Sequence, residues 1–503
     1  MKNRMLSLRG RQQAQGGSKY MNAYKVQGYR GGIADDPYSG VREAFRFGYG
    51  LNIRGETNVL KCNQKLKVDL GNEVIVDLIL FYIPASNGIL YGFGDTGKIY
   101  RKNGVDGTWE VVYTDANGKI TGAAEYTNND GVDNYIPYLY WATETKVSRI
   151  KLSGIWPTDV EHDWGTLNGD PSWHTMAEAL GVLLICDGKD LAMVDYEGAF
   201  AAGANPALDL PRGHRNKCLL GLDQLVVFGS TKGDKVEEGW LWTWDKIQPS
   251  WIQRRMIAER GINAILQGEF MAIQAGVKGG LYFWDTSSLI RIKKFPGEFG
   301  WVNPGGVTIM GGLPLFGLNG SNKCGVYSYG RLTKNDPYAL NLEYIPSHEK
   351  MENVNIGALT MYGDVLHVSW KDGIEFGVDR IDADNKAEGR YEGMVFDGGE
   401  PFTQKSFRTI KLVTKKLPKD TSVEVFYRVN EDDEWQTAAM QDSSESFDKE
   451  GKTKAIFSIE TGGDEDEPGQ GEEYEVALNI HPSGNNTPEV KSVTSYFEPV
   501  GIL

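Results

Sequence analysis

Residues Leu90–Tyr100 read LYGFGDTGKIY, and two unrelated folds compete for them. Gly92, Gly94 and Gly97 spell the dinucleotide pattern G-x-G-x-x-G, and Gly92 to Lys98 spell most of a P-loop. Either motif would require a helix opening at the glycines, so that its free N–H groups and positive end meet phosphate. A P-loop also needs Ser or Thr after the lysine to ligate magnesium, and Ile99 stands there. The chain continues with Lys98–Ile99–Tyr100–Arg101–Lys102, a turn-rich NGVDG, then Thr108–Trp109–Glu110–Val111–Val112–Tyr113. These β-branched and aromatic residues read as strands, with no apolar period of 3.6. The stretch therefore predicts a β-hairpin turning at Gly94-Asp95-Thr96-Gly97.

The hairpin has relatives along the chain. Apolar strand, polar turn and second strand recur from Leu90, Tyr138, Leu183, Leu225, Phe270, Leu313 and Val365, at spacings of 48, 45, 42, 45, 43 and 52 residues. A period of about 40–50 residues with several strands per unit is the mark of a β-propeller blade. About seven blades are expected over residues 46–388, with residues 46–81 supplying the strand that pairs with the far end of the array. Near-continuous apolar runs such as LVVFG and LLICD suit strands buried on both faces.

The pattern changes at IDADNKAEGRYEG, a polar stretch that reads as a boundary. Beyond it SFRTIKLVTKKLP, TSVEVFYRV, WQTAAM, KTKAIFSIE, EEYEVALNI and EVKSVTSYFEP alternate polar and apolar residues. Residues 389–503 are thus expected to form an antiparallel β-sandwich, with the acidic run Gly463–Pro468 as a solvated loop, calcium binding being the weaker alternative. Residues 1–45 are expected to be an extended basic arm. Residues 1–30 carry Lys2, Arg4, Arg9, Arg11, Lys19, Lys25 and Arg30 and no acid. Its Gln- and Gly-rich part cannot bury enough to fold alone. Arg4, Arg9, Arg11 and Lys19 are its candidate assembly residues. The fold class is all-β: arm, propeller, sandwich.

Composition agrees. Glycine supplies 62 of 503 residues, against a usual share of about 7%, beside 13 Trp and 24 Tyr. Lys and Arg total 53 against 68 Asp and Glu, a net charge of −15, which argues against a general nucleic-acid coat. Cys62, Cys186, Cys218 and Cys324 form no C-x-x-C pair, so zinc and a disulfide framework are not expected. No apolar core follows the N-terminal charges, and the longest apolar run, Val74–Pro84, is too short to span a bilayer. A soluble protein made in a cytoplasm is expected.

The search for chemistry yields little. His162, His174, His214, His348, His367 and His481 show no metal spacing, and neither H-E-x-x-H nor G-x-S-x-G occurs. Asp95–Arg101 with Asp106-Gly107-Thr108-Trp109 resembles the aspartate box of sialidase-like propellers, a structural turn remote from that family's active site. Trp240, Trp242 and Trp244 alternate with Leu241 and Thr243 on one strand face. They are a candidate exposed aromatic surface for sugar or partner, set against ordinary blade-to-blade packing. No catalytic residue, metal or cofactor is expected, and the protein reads as no enzyme.

The segments GGIADDPYSGVREAFRFGYGLNIRGETNVLKCNQKLKVD and GFGDTGKIYRKNGVDGTWEVVYTDANGKITGAAE, with VEVFYRVNEDDEW and VALNIHPSGNNTPEVKSVTSYFEP near the C-terminus, resemble β-propeller virion proteins of tailed bacteriophages. The resemblance covers most of residues 31–503. It implies a structural protein of the virion tail (nozzle, hub or tip) that forms a homo-oligomeric ring with other tail or connector proteins. A nozzle would lie on the path of DNA ejection. It implies neither membrane insertion nor sequence-specific nucleic-acid binding. The alternative is a tail protein that binds or cleaves host-surface carbohydrate, in the manner of sialidase-like propellers.

Overall fold

Ile89–Gly94 and Lys98–Asn103 are antiparallel strands, with Phe93 opposite Ile99 and Gly92 opposite Tyr100. The turn between them is held by a carboxylate. Asp77, fully buried, accepts the Thr96 N–H at 3.2 Å, the Thr96 hydroxyl at 2.6 Å and the Tyr100 hydroxyl. Gly97 has φ +89°, and a Cβ there would sit 2.6 Å from the Asp115 carbonyl oxygen. The glycines of LYGFGDTGKIY thus serve a crowded hairpin. This is a computed structural model, and it describes residues 22–129, 134–168, 173–233, 238–285, 287–430, 433–440, 442–459 and 469–500. Arg4, Arg9, Arg11, Lys19 and the acidic run Gly463–Pro468 lie outside the described residues.

The chain is all-β and groups into two compact units: residues 66–328 with 345–381, and residues up to 65 with 329–344 and 382 onward. Among the described residues the larger unit is a succession of seven antiparallel sheets, the sixth of them being the first three strands of a ten-stranded one. Their first strands are Ile79–Pro84, Gly122–Asn129, Met176–Ala179, His214–Gly221, Ile262–Gln267, Gly300–Met310 and Val354–Tyr362. Their second strands are Ile89–Gly94, Tyr135–Ala142, Val182–Asp187, Val226–Lys232, Met271–Ala275, Leu313–Gly320 and Val365–Asp372. The repeat read from the sequence is therefore the second strand of each sheet. Gln64–Val68, from the segment expected to return to the far end of the array, joins the seventh sheet beside Glu375–Lys386.

Each first strand touches the first strand of the next sheet, and Val354–Tyr362 touches Ile79–Pro84, so the contacts return to their start. The approach is close. A Cβ at Gly122 would lie 1.8 Å from the His174 carbonyl oxygen, and one at Gly357 would lie 2.0 Å from that of Ile79. Between neighbouring sheets the side chains form dry layers. In Val182–Asp187, Leu183 and Ile185 pack with Tyr140 and Val147 of the second sheet, while Leu184 and Cys186 pack with Phe228 and Trp242 of the fourth. Alternate residues face opposite ways along a strand, so a strand buried on both faces must be apolar throughout. Each fully buried Leu, Ile or Phe contributes about 1.5–3 kcal/mol.

Among the described residues the smaller unit contains, beside two two-stranded sheets, two large ones. One runs Asn22–Val26, Val490–Pro499, Lys405–Thr414, Lys454–Ser458 and Ala439–Met440. The other includes Ala339–Tyr344, Phe47–Tyr49, Gly389–Glu392, Tyr474–His481 and Ser422–Val429. Phe407 of the first stacks on Tyr474 of the second, ring centroids 4.3 Å apart. Buried Glu475 holds Arg46 at 2.8 Å and Arg428 at 2.5 Å. The unit is discontinuous in sequence, where three consecutive segments were expected. Phe47–Tyr49 pairs with Gly389–Glu392 and, through Tyr49, with Leu342, and Asn22–Val26 pairs with Val490–Pro499. Pairings this distant leave no local trace. Tyr29 and Ile33 are buried, so residues 22–45 are not a free arm.

Candidate functional site

Several residues singled out by the sequence are structural. Trp242 and Trp244 are buried and Trp240 is half-buried, which overturns the candidate exposed aromatic surface. The strand Glu238–Trp244 lies inside its sheet, between Val226–Lys232 and Gln253–Ile257, and both its faces are covered. The Trp242 indole donates to Ser230 Oγ at 2.8 Å and the Trp244 indole to the Gln248 carbonyl at 2.8 Å. Asp95 accepts the Leu78 N–H at 3.2 Å. His174 is buried between the carbonyls of Cys186 and Glu144. All four cysteines are buried and unbridged, and burial pushes the Cys62 and Cys218 thiols up to about 12. Among the described residues no cluster of metal-ligating side chains occurs.

A buried polar cluster joins the seventh sheet to the first. Asp69 follows Gln64–Val68 and receives the Lys102 ammonium at 2.9 Å and the Trp109 indole N–H at 2.8 Å. Arg380 Nε lies 3.3 Å from the same carboxylate and His367 Nε2 3.5 Å. Burial raises the Asp69 pKa, but the His367 and Lys102 bonds and charges outweigh it and hold it below the ordinary carboxylate value. Lys102 is shifted down, chiefly by burial. With its charges matched and enclosed, this cluster fastens two sheets.

A different group gathers where four consecutive sheets converge on the ring of first strands. Lys119 lies in the connection into the second sheet, Trp173 in that into the third, Lys217 on the first strand of the fourth, and Asn263 on that of the fifth. The Lys119 ammonium lies 4.7 Å from the Trp173 ring centroid and that of Lys217 lies 6.0 Å from it. Lys119 is exposed and Lys217 half-buried, so the pair has a wet rim and a deeper end. Lys217 donates to Asn263 Oδ1 at 2.6 Å. The buried Asn263 amide is itself fixed, donating to Gln274 Oε1 at 2.8 Å and the Gly276 carbonyl at 2.6 Å.

Strand irregularities aim both deeper groups. The pairing of the fourth sheet slips between Asn216 and Cys218, and that of the fifth between Ile262 and Ala264. Lys217 and Asn263 occupy these bulges, which redirect a side chain. Burial lowers the Lys217 pKa to about 8, with a smaller push from Lys119. Lys119 is also lowered by burial, against the pull of Asp95. Sequence reading missed this group, although one signal was present: Lys217 is the single lysine in the seven first strands.

In the smaller unit an open cavity of about 380 Å³ is lined by Lys25, Glu56, Asn58, Val413 and Lys491, among others. Glu56 there is already paired with Lys415 at 2.5 Å.

No family profile and no curated protein matches this chain. Solved structures with some likeness include the computationally designed Ika8 protein, 13% identical over 63% of this chain and 90% of that one, TM-score 0.37. The WD40 β-propeller domain of Doa1 is 11% identical over 64% and 98%, TM-score 0.41. The BT4673 extracellular domain from B. thetaiotaomicron is 11% identical over 80% of this chain and 47% of that one, TM-score 0.45.

Proposed function

We propose that this protein is a structural subunit of a tailed-bacteriophage virion, placed in the tail as a nozzle, hub or tip protein, in which the seven sheets close as a β-propeller and the smaller unit is a β-sandwich. The observation that supports assembly is the strand Asn22–Val26. Among the described residues it is the edge of its sheet, bonded to Val490–Pro499 on one side, and Asn22, Ala23 and Lys25 are exposed. Open edges recruit further strands, and natural proteins cover them. The basic N-terminal residues lead directly into this edge, on a chain of net charge −15. Opposite charge steers such an arm toward an acidic neighbour. The carbohydrate alternative keeps its resemblance to sialidase-like propellers but not an exposed Trp240–Trp244 surface.

Deleting residues 2–20 tests this reading while sparing the edge strand and buried Tyr29. The truncated protein should fold with an unchanged melting transition and fail to enter virions or form its own oligomer, as read by native mass spectrometry and virion proteomics. Normal incorporation of the truncated protein would overturn the assembly role of the arm.

A further inference from the structure

We infer that Lys119 and Lys217, set around Trp173 at the ring of first strands, form a binding site for a small dianionic oxyanion, a phosphate or dicarboxylate group. Three independent features converge there. First, an ammonium carries three donors. Lys217 donates to Asn263, and no carboxylate among the described residues forms an ion pair with it or with Lys119. Lys102, an enclosed cation elsewhere in this unit, is by contrast paired with Asp69 at 2.9 Å, as burial of charge demands. Two neighbouring ammonium groups, with Asp95 acting on Lys119 only from beyond ion-pair distance, present donors and charge suited to a dianion.

Second, the group is held in place. Asn263 is locked by Gln274 and Gly276, the Gln274 Oε1 also accepts the Val302 N–H at 3.2 Å, and the Thr175 hydroxyl donates to the Lys217 carbonyl at 2.6 Å. Trp173 is itself braced by Phe81, centroids 5.9 Å apart. Such preorganisation spares a ligand the cost of ordering its site. Third, packing gives no reason for the charge. The remaining first strands fill their ring with residues other than lysine. In a chain of net charge −15 this is a local cationic site and no part of a general basic surface. The inference does not depend on the virion role.

Isothermal titration of the full-length protein with sodium phosphate, with sodium malonate, and with sodium chloride at matched ionic strength tests it. Phosphate, malonate or both should bind at one site per chain, with affinity reduced about tenfold or more in Lys217→Met and in Lys119→Met; chloride should not compete. Binding of phosphate alone, malonate alone or both each supports the site and identifies its chemistry. No binding, or binding equal in wild type and both variants, overturns it. Lys217→Met removes an enclosed charge and should fold, and the rim variant Lys119→Met gives an independent reading. In protein reductively methylated with ¹³C, the anion should also raise the Lys217 titration midpoint, which a purely structural lysine would not show.

Discussion

Lys217 makes the folded state sensitive to alkaline pH in a direction that can be worked out. Its pKa is about 8 in the fold, against about 10.4 in an unfolded chain. Below pH 8 both states hold the proton, and the cost of enclosing the ammonium is fully present. Between the two values the folded state sheds a proton that the unfolded state keeps, so stability rises with pH. Lys217→Met should therefore raise stability by about 1–3 kcal/mol at pH 7. The gain should fade as pH passes from about 8 to about 10.4, read from urea melts of variant and wild type. A second residue-scale prediction concerns the opening hairpin. Gly97→Ala places a Cβ in a positive-φ position against the Asp115 carbonyl and should cost at least about 1–2 kcal/mol. Lys98→Ala should stay within about 0.5 kcal/mol and leave no nucleotide binding to lose.

At the scale of elements, the joint between the seventh and first sheets combines an apolar layer with one buried carboxylate. Asp69→Ala would leave the enclosed Lys102 ammonium with the Gly107 carbonyl but no counter-charge, and the Trp109 indole without its acceptor, and should destabilise the protein by about 3–5 kcal/mol in chemical denaturation at pH 7. Because the folded pKa of Asp69 is depressed, its contribution is present above the unfolded value of about 3.9 and is lost as pH falls below it. The gap between wild type and variant should narrow in acid. The same joint shows what a sequence can reveal. Tyr138, Leu183, Leu313 and Val365 each mark a second strand because that strand is buried on both faces and its turn is sharp. Hydrophobic runs and turn residues are local signals. Asp69 meeting His367, and Phe47–Tyr49 meeting Gly389–Glu392, are decided by closure of the chain over hundreds of residues. Trp240, Trp242 and Trp244 failed differently: alternation identified a common face, but a strand covered on both faces buries that face as well. Lys217 and Asn263 owe their aim to bulges, which hydrophobic pattern does not encode.

At the scale of the whole molecule, the account rests on assembly. The proposed assembly role draws on an edge strand led into by a basic segment, on a chain of net charge −15. The most direct measurement is cryo-electron microscopy of the purified virion, supported by mass spectrometry of its proteins. The account predicts this chain in the tail, in several copies related by rotation about the tail axis, each with residues 1–21 against a neighbouring subunit. Absence of the chain from the virion, or its presence only as isolated copies making no contact through that segment, would contradict it.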